Sequence, residues 1–124
     1  FFRSYPEVFI ERNLATTEAQ RSVFRKAVKA GVTLLYGTDA GVLPHDMGGW
    51  QFEIMVEHGM APMQAIQSAT RVAAHHMGMS HEVGAISPGL QADIIAVRGN
   101  PLEDVSLLRE ISLVLKDGEI VKAP

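Results

Sequence analysis

The sequence predicts an α/β fold, and three observations carry the prediction. A helical stretch over residues 18–30 passes through one glycine, Gly31, into an apolar and β-branched run, Val32 to Tyr36. Further helical stretches follow, punctuated by Gly48, Gly49, Gly59 and Gly78. From residue 80 onward the pattern turns to short β-type runs joined by Pro-Gly and Asp-Gly turns. Helix, one-residue turn and buried strand form the αβ half of a βαβ arrangement. Residues 1–80 therefore read as α/β and residues 81–124 as a β-rich segment.

Phe1 to Asn13 carries Pro6 and a brief apolar cluster, Val8 to Ile10, and reads as a loop or the end of a helix. Thr17 then offers an N-cap hydroxyl, and Gln20 three residues on completes a capping-box pattern. Val23, Phe24, Ala27 and Val28 recur at helical spacing, with Arg21, Arg25, Lys26 and Lys29 largely outside that stripe. Gly31 fits the left-handed residue just past a helix end. Val32 to Tyr36 has the continuous apolar character of a strand buried on both faces.

Trp50 to His58 reads as a short helix with Phe52, Met55 and Val56 on its apolar side, stopped by Gly59. Pro62 suits the first turn of the next helix. Ile66, Ala69, Ala73 and Met77 keep helical spacing up to Gly78, and Ala65, Ser68, Ala69, Ala73 and Ala74 are small enough to let that helix approach a neighbour closely. Ser87-Pro88-Gly89 is a type II turn signal. Asp93 to Val97 predicts a second buried strand, ended by Gly99-Asn100-Pro101, and residues 102–109 form one helical turn or a loop. Leu113 to Lys116, Asp117-Gly118 and Glu119 to Lys122 make a hairpin signal, because Asp-Gly favours the I′ turn.

Composition narrows the function classes. A 124-residue chain with 47% hydrophobic residues is long and apolar enough for a core of its own. Its net charge of −3, without a basic block, offers nothing for nucleic acid to bind. The absence of cysteine removes disulfides and thiolate metal sites, in keeping with a cytoplasmic protein. No apolar run approaches the roughly 20 residues needed to span a bilayer. The start, Phe-Phe-Arg-Ser-Tyr-Pro, lacks both an initiator Met and the basic-then-apolar order of a signal peptide, as expected of an internal or processed start.

The chemistry centres on Asp39. Gly37 and Gly41 flank it and leave room beside its carboxylate, just after the apolar run. Acids at the C-terminal ends of barrel strands are catalytic positions. The commoner use of Asp in such a place is to cap a turn, and spacing alone favours that use. His45 lies six residues further on the same stretch, so the two groups can share a metal ion or a proton. Two ligands are too few for a zinc site. His58 sits where a cation suits a helix dipole, and the adjacent His75 and His76 point to different faces. These three read as structural or surface residues, and His81 carries no signal. His-Glu-x-x-His, a phosphate-cradling glycine loop and a Gly-x-Ser-x-Gly elbow are all absent.

The order of several motifs carries a resemblance. Tyr36-Gly-Thr-Asp-Ala-Gly-Val-Leu-Pro-His45 is followed by Glu53 to Met60, with Gly59-Met60-Ala61-Pro62-Met63-Gln64-Ala65, and by Ala69-Thr70. Then come Gly84 to Gly89, Ala92-Asp93-Ile94-Ile95-Ala96-Val97, Gly99 to Leu102 and the Lys116-Asp117-Gly118 hairpin. Over residues 16–122 this resembles the C-terminal part of the amidohydrolase superfamily, in its imidazolonepropionase-like and Xaa-Pro dipeptidase (prolidase-like) branch. The resemblance implies the last strand and helices of a (β/α)₈ barrel over residues 1–80 and a segment of a small β-sandwich over residues 81–124. It implies a hydrolase of C–N bonds using one or two divalent ions, zinc foremost. Asp39 matches the family's metal-ligand aspartate, which also passes a proton from the attacking water to the leaving nitrogen. His45 matches a histidine frequent in that branch's loop, and substrate contact is the role expected for it. Position 46, usually glycine, is here Asp46, which bears on loop shape and substrate choice.

The resemblance also implies that the other metal ligands, on earlier barrel strands, lie outside these 124 residues. The expected object is an incomplete enzyme, inactive alone, its metal belonging to the complete barrel, whose partners are the remainder of the barrel or a second copy of the chain, and a small-molecule substrate. A non-catalytic α/β binding or assembly module, and a degenerate relative without metal, are the alternatives.

Overall fold

The computed structural model describes residues 6–41 and 44–123. The expectation for the N-terminal five residues, that they are no signal peptide, lies outside that range. The chain forms two compact units, residues 1–33 and 34–124.

The first unit is one helix, α1 (Glu7–Lys29). It starts eleven residues before the expected first helical residue, 18, so the N-cap expected at Thr17 is corrected; of the stretch to Asn13, expected to be a loop or the end of a helix, residues 7–13 are helical. Pro6 stands at the N-cap position, and its carbonyl accepts from Phe9 N at 2.9 Å. Thr17 lies inside the helix and its hydroxyl donates backward to Asn13 O at 2.6 Å. That bond satisfies the hydroxyl without ending the helix. Neither Gly nor Pro interrupts residues 7–17, so nothing local stops propagation toward the N-terminus.

The expected exit is present. Gly31 N donates to Val28 O at 3.0 Å and Val32 N to Ala27 O at 3.0 Å, the paired bonds of a Schellman motif. The same pair of bonds closes α2 (Gly48–Glu57) at Gly59 and Met60, and α4 (Arg71–His76) at Gly78 and Met79.

The run Val32 to Tyr36 does not form the expected strand. The sheet among the described residues contains only β1 (Ile94–Val97), β2 (Ile111–Lys116) and β3 (Glu119–Lys122). Val32 and Leu35 are 55% and 46% exposed. A buried strand needs neighbours on both edges, and the described residues offer one backbone bond, Tyr36 N to Ser68 O at 3.2 Å.

That bond accompanies a second departure. The helix expected to run to Gly78 is divided into α3 (Pro62–Ser68) and α4, with Pro62 at the first position as expected. Ser68 O, which a continuous helix would give to residue 72, accepts from Tyr36 instead. Thr70 between them takes φ −126° and ψ −102°, outside the helical region, and its hydroxyl donates back to Ile66 O at 2.9 Å.

The core is small. Met55, Met60, Ala65, Ala74 and Leu108 are buried, together with Ser68, whose hydroxyl donates to Ala65 O at 2.7 Å. The small residues do allow close approach, since a Cβ added at Gly84 would lie 2.6 Å from the Ala74 methyl. Likewise, a Cβ at Gly49 would lie 2.4 Å from Leu108 O, so α2 meets the 3₁₀ turn Val105–Arg109 backbone to backbone.

The sheet is antiparallel in the order β1-β2-β3, with Ile94 opposite Leu115 and Leu115 opposite Ile120. β1 is a strand as expected, but only partly buried, with Ile95 54% exposed. The type II turn forms, Leu90 N donating to Ser87 O at 3.2 Å, and the Asp117-Gly118 hairpin forms with both residues at positive φ, 51° and 83°.

Candidate functional site

The site candidate is the stretch from Tyr36 to the start of α2. Tyr36 is anchored three ways. Its hydroxyl donates to Gly48 O at 2.7 Å, its ring stacks on Phe52 with centroids 4.6 Å apart, and its N–H donates to Ser68 O. Burial raises the pKa of its phenol, so the hydroxyl remains a donor at neutral pH. One residue on, Gly37 O accepts from Gln51 Nε2 at 2.8 Å.

Asp39 follows two residues later. It is exposed, and its backbone lies in the left-handed region at φ 51°. Non-glycine residues reach that region mainly when Asn or Asp and mainly in turns. Ala40 and Gly41 form the turn itself. Among the described residues, no hydrogen bond or ion pair engages the Asp39 carboxylate. His45 is exposed and opens a 3₁₀ turn, His45–Met47, that leads into α2. Asp39 and His45 thus stand at the two ends of one loop, whose residues 42–43 lie outside the description.

A carboxylate oxygen and an imidazole suit a divalent cation in kind. They do not suffice in number: among the described residues, no three His, Cys, Asp or Glu side chains stand close enough to hold an ion. The remaining histidines are elsewhere. His58 caps α2 and its Nε2 is buried with no hydrogen-bond partner among the described residues. His75 and His76 are exposed and meet edge to face, with His76 Nδ1 2.9 Å from Val72 O. His81 Nε2 lies 3.0 Å from Glu82. A concavity of about 280 Å³ is lined by Ile86, Pro88, Leu90, Ala92 and Ile94 among others, and carries no acid, base or histidine.

α2 is held to the 3₁₀ turn Val105–Arg109. Arg109 makes a bidentate ion pair with Glu53 and lies 3.6 Å over the Trp50 ring. The Glu53 carboxylate raises the Arg109 pKa further. Sequence spacing did not pair these groups, because Glu53 and Arg109 are 56 positions apart. Gln51 was silent as a helix-surface amide, and Tyr36 entered only as the last residue of the apolar run and the first of the family motif. No helix among the described residues is long and apolar enough to cross a membrane.

Comparison with known proteins places this geometry in a family. The profile described as "Amidohydrolase family" matches residues 9–121. Ochratoxinase of Aspergillus niger is 34% identical over 115 residues, covering 89% of this chain and 24% of that protein. Adenine deaminase 4 of Rhizobium meliloti is 34% identical over 108 residues, covering 82% of this chain and 18% of that protein. The crystal structure of a Xaa-Pro dipeptidase with methionine bound in its active site superposes with a TM-score of 0.88 at 40% identity, over 96% of this chain and 29% of that one. The chain thus spans about a quarter of the length of such relatives. Its helices and small antiparallel sheet match theirs in order, and the chain belongs to the amidohydrolase family.

Proposed function

We propose that this chain supplies the C-terminal part of a metal-dependent amidohydrolase that cleaves a C–N bond in a small dipeptide or cyclic amide, with Asp39 as metal ligand and proton carrier. One observation carries the reading. An exposed carboxylate, unengaged among the described residues, stands on a turn whose approach is clamped to α2. Such a group keeps its lone pairs for a cation and for a water proton. The family match and the hydrolytic relatives support the reaction class. In this reading Val32 to Tyr36 supplies the last strand of a (β/α)₈ barrel whose other strands lie outside this chain. Residues 81–124 belong to a small β-sandwich.

A divalent ion, zinc in the first instance, supplies acidification of water toward neutrality when bound. Asp39 takes the proton of the attacking water as it adds to the amide carbonyl. It then delivers that proton to the departing nitrogen, which leaves as a neutral amine. His45, at the far end of the loop, contacts the substrate through its imidazole N–H or lone pair.

The test uses the full polypeptide that carries this segment, assayed for amine release from Ala-Pro and from N-acetyl amino acids with added Zn²⁺. Asp39→Asn is expected to lower kcat by about 10²–10⁴-fold, the usual worth of a positioned proton-transfer group. Wild-type turnover by that variant overturns the reading.

A further inference from the structure

We propose that Tyr36 and Gln51 are positioning residues that set the backbone of the Asp39 turn from the N-terminal half of α2. The proposal rests on the assignment of Asp39 above and extends it to the groups that aim its carboxylate.

The ties fall in a short span. Tyr36, three residues before Asp39, is fixed through its hydroxyl to Gly48 O, its ring to Phe52 and its N–H to Ser68 O. Gly37, two residues before Asp39, is fixed through its carbonyl to Gln51 Nε2. Asp39 itself has φ 51° and its carboxylate has no partner among the described residues. A non-glycine residue in that conformation persists when its surroundings enforce it, and here the side chain contributes nothing to the enforcement. The clamp is sterically matched as well. A Cβ added at Gly48 would lie 3.0 Å from the Tyr36 hydroxyl, so the glycine admits the phenol. The stack on Phe52 uses the ring and the bond to Gly48 the hydroxyl, so Tyr36→Phe removes the bond and is expected to keep the packing.

The test again uses the full polypeptide, with Ala-Pro as substrate and Zn²⁺ present. Tyr36→Phe and Gln51→Leu are made singly and each is combined with Asp39→Asn. Each single variant is expected to lower kcat about tenfold with KM within about threefold, since displacement of a reacting group by 1 Å costs up to about 10²-fold. On the Asp39→Asn background neither is expected to lower kcat further, because groups acting through one carboxylate are not additive. Independently of turnover, amide hydrogen exchange over residues 37–41 is expected to quicken in both single variants, with residues 52–57 unchanged. Wild-type kcat and wild-type loop exchange in both variants overturn the proposal, as do full additive losses on the Asp39→Asn background. An Asp39→Asn enzyme with wild-type turnover sinks the assignment of Asp39 instead, while the exchange data still decide whether the clamp holds the loop.

Discussion

Asp93 shows how much one surface carboxylate organises. It accepts from Lys116 Nζ at 2.7 and 2.9 Å and from the Asp117 N–H at 2.9 Å, tying the hairpin tip to the start of β1. The Lys116 bond, then the Asp117 amide, lowers the Asp93 pKa, and the same bond raises that of Lys116. A carboxyl whose folded pKa is depressed contributes stability above its unfolded value and loses it as pH falls through the folded value. The lysine's contribution is full below its unfolded value and is lost as pH rises through the folded one. An NMR titration is expected to place the Asp93 midpoint below that of free aspartate, and Asp93→Asn to abolish the acid-side dependence of hairpin order; a midpoint in the ordinary range contradicts this. Gly49 is a different case, because its added methyl meets backbone rather than solvent. Gly49→Ala is expected to destabilise the fold by about 1–3 kcal/mol, the usual cost of overpacking, visible as a lowered Tm. At this scale the sequence was half legible. Spacing alone favours a turn cap at Asp39 and only the family resemblance marks it as a ligand, while no local pattern announces the phenol and amide bonded at Gly48 and Gly37.

Among the elements, closures were more legible than openings. Gly31, Gly59 and Gly78 each end a helix where spacing placed them, because the Schellman bonds use only residues next to each other in sequence. Gly78 has φ 72° and open space where a Cβ would go. Gly78→Ala is therefore expected to cost about 1 kcal/mol through backbone conformation alone, less than Gly49→Ala in the same thermal melt; equal losses would contradict the distinction. The N-terminus of α1 was misplaced because Thr17 offers the same hydroxyl to a cap and to the carbonyl four residues back. The division of α3 from α4 was missed because its companion bond, Tyr36 N to Ser68 O, joins positions distant in sequence. Asp-Gly and Ser-Pro-Gly turns were read correctly, since their geometry is set within four residues.

For the molecule as a whole, apolar surface is the governing feature. Phe9, Leu14 and Val23 on α1 are 63%, 71% and 65% exposed, and Ile120 and Val121 on the edge strand β3 are 67% and 68% exposed. An open edge of that kind invites pairing. We propose that barrel segments outside this chain, or a second copy, cover these faces. The 124 residues alone are expected to associate, as measured by light scattering, and to bind an apolar dye; a dye-silent monomer contradicts this. They are also expected not to hydrolyse amides with Zn²⁺ added, since one ligand cannot hold an ion; tight one-to-one binding with turnover refutes that. The class of the fold was legible because periodicity survives without neighbours, whereas the apolar run after Gly31 promised a ladder that only other strands can complete.

The meeting of Gly49 with the Leu108 carbonyl has a practical corollary for anyone recombining relatives. Two main chains touching without an intervening side chain behave as a fixed spacer, with no rotamer to absorb a mismatch. A graft that exchanges the C-terminal third between family members has to carry residue 49 and residue 108 as a matched pair, or the seam will shift the helix to which the Asp39 loop is moored.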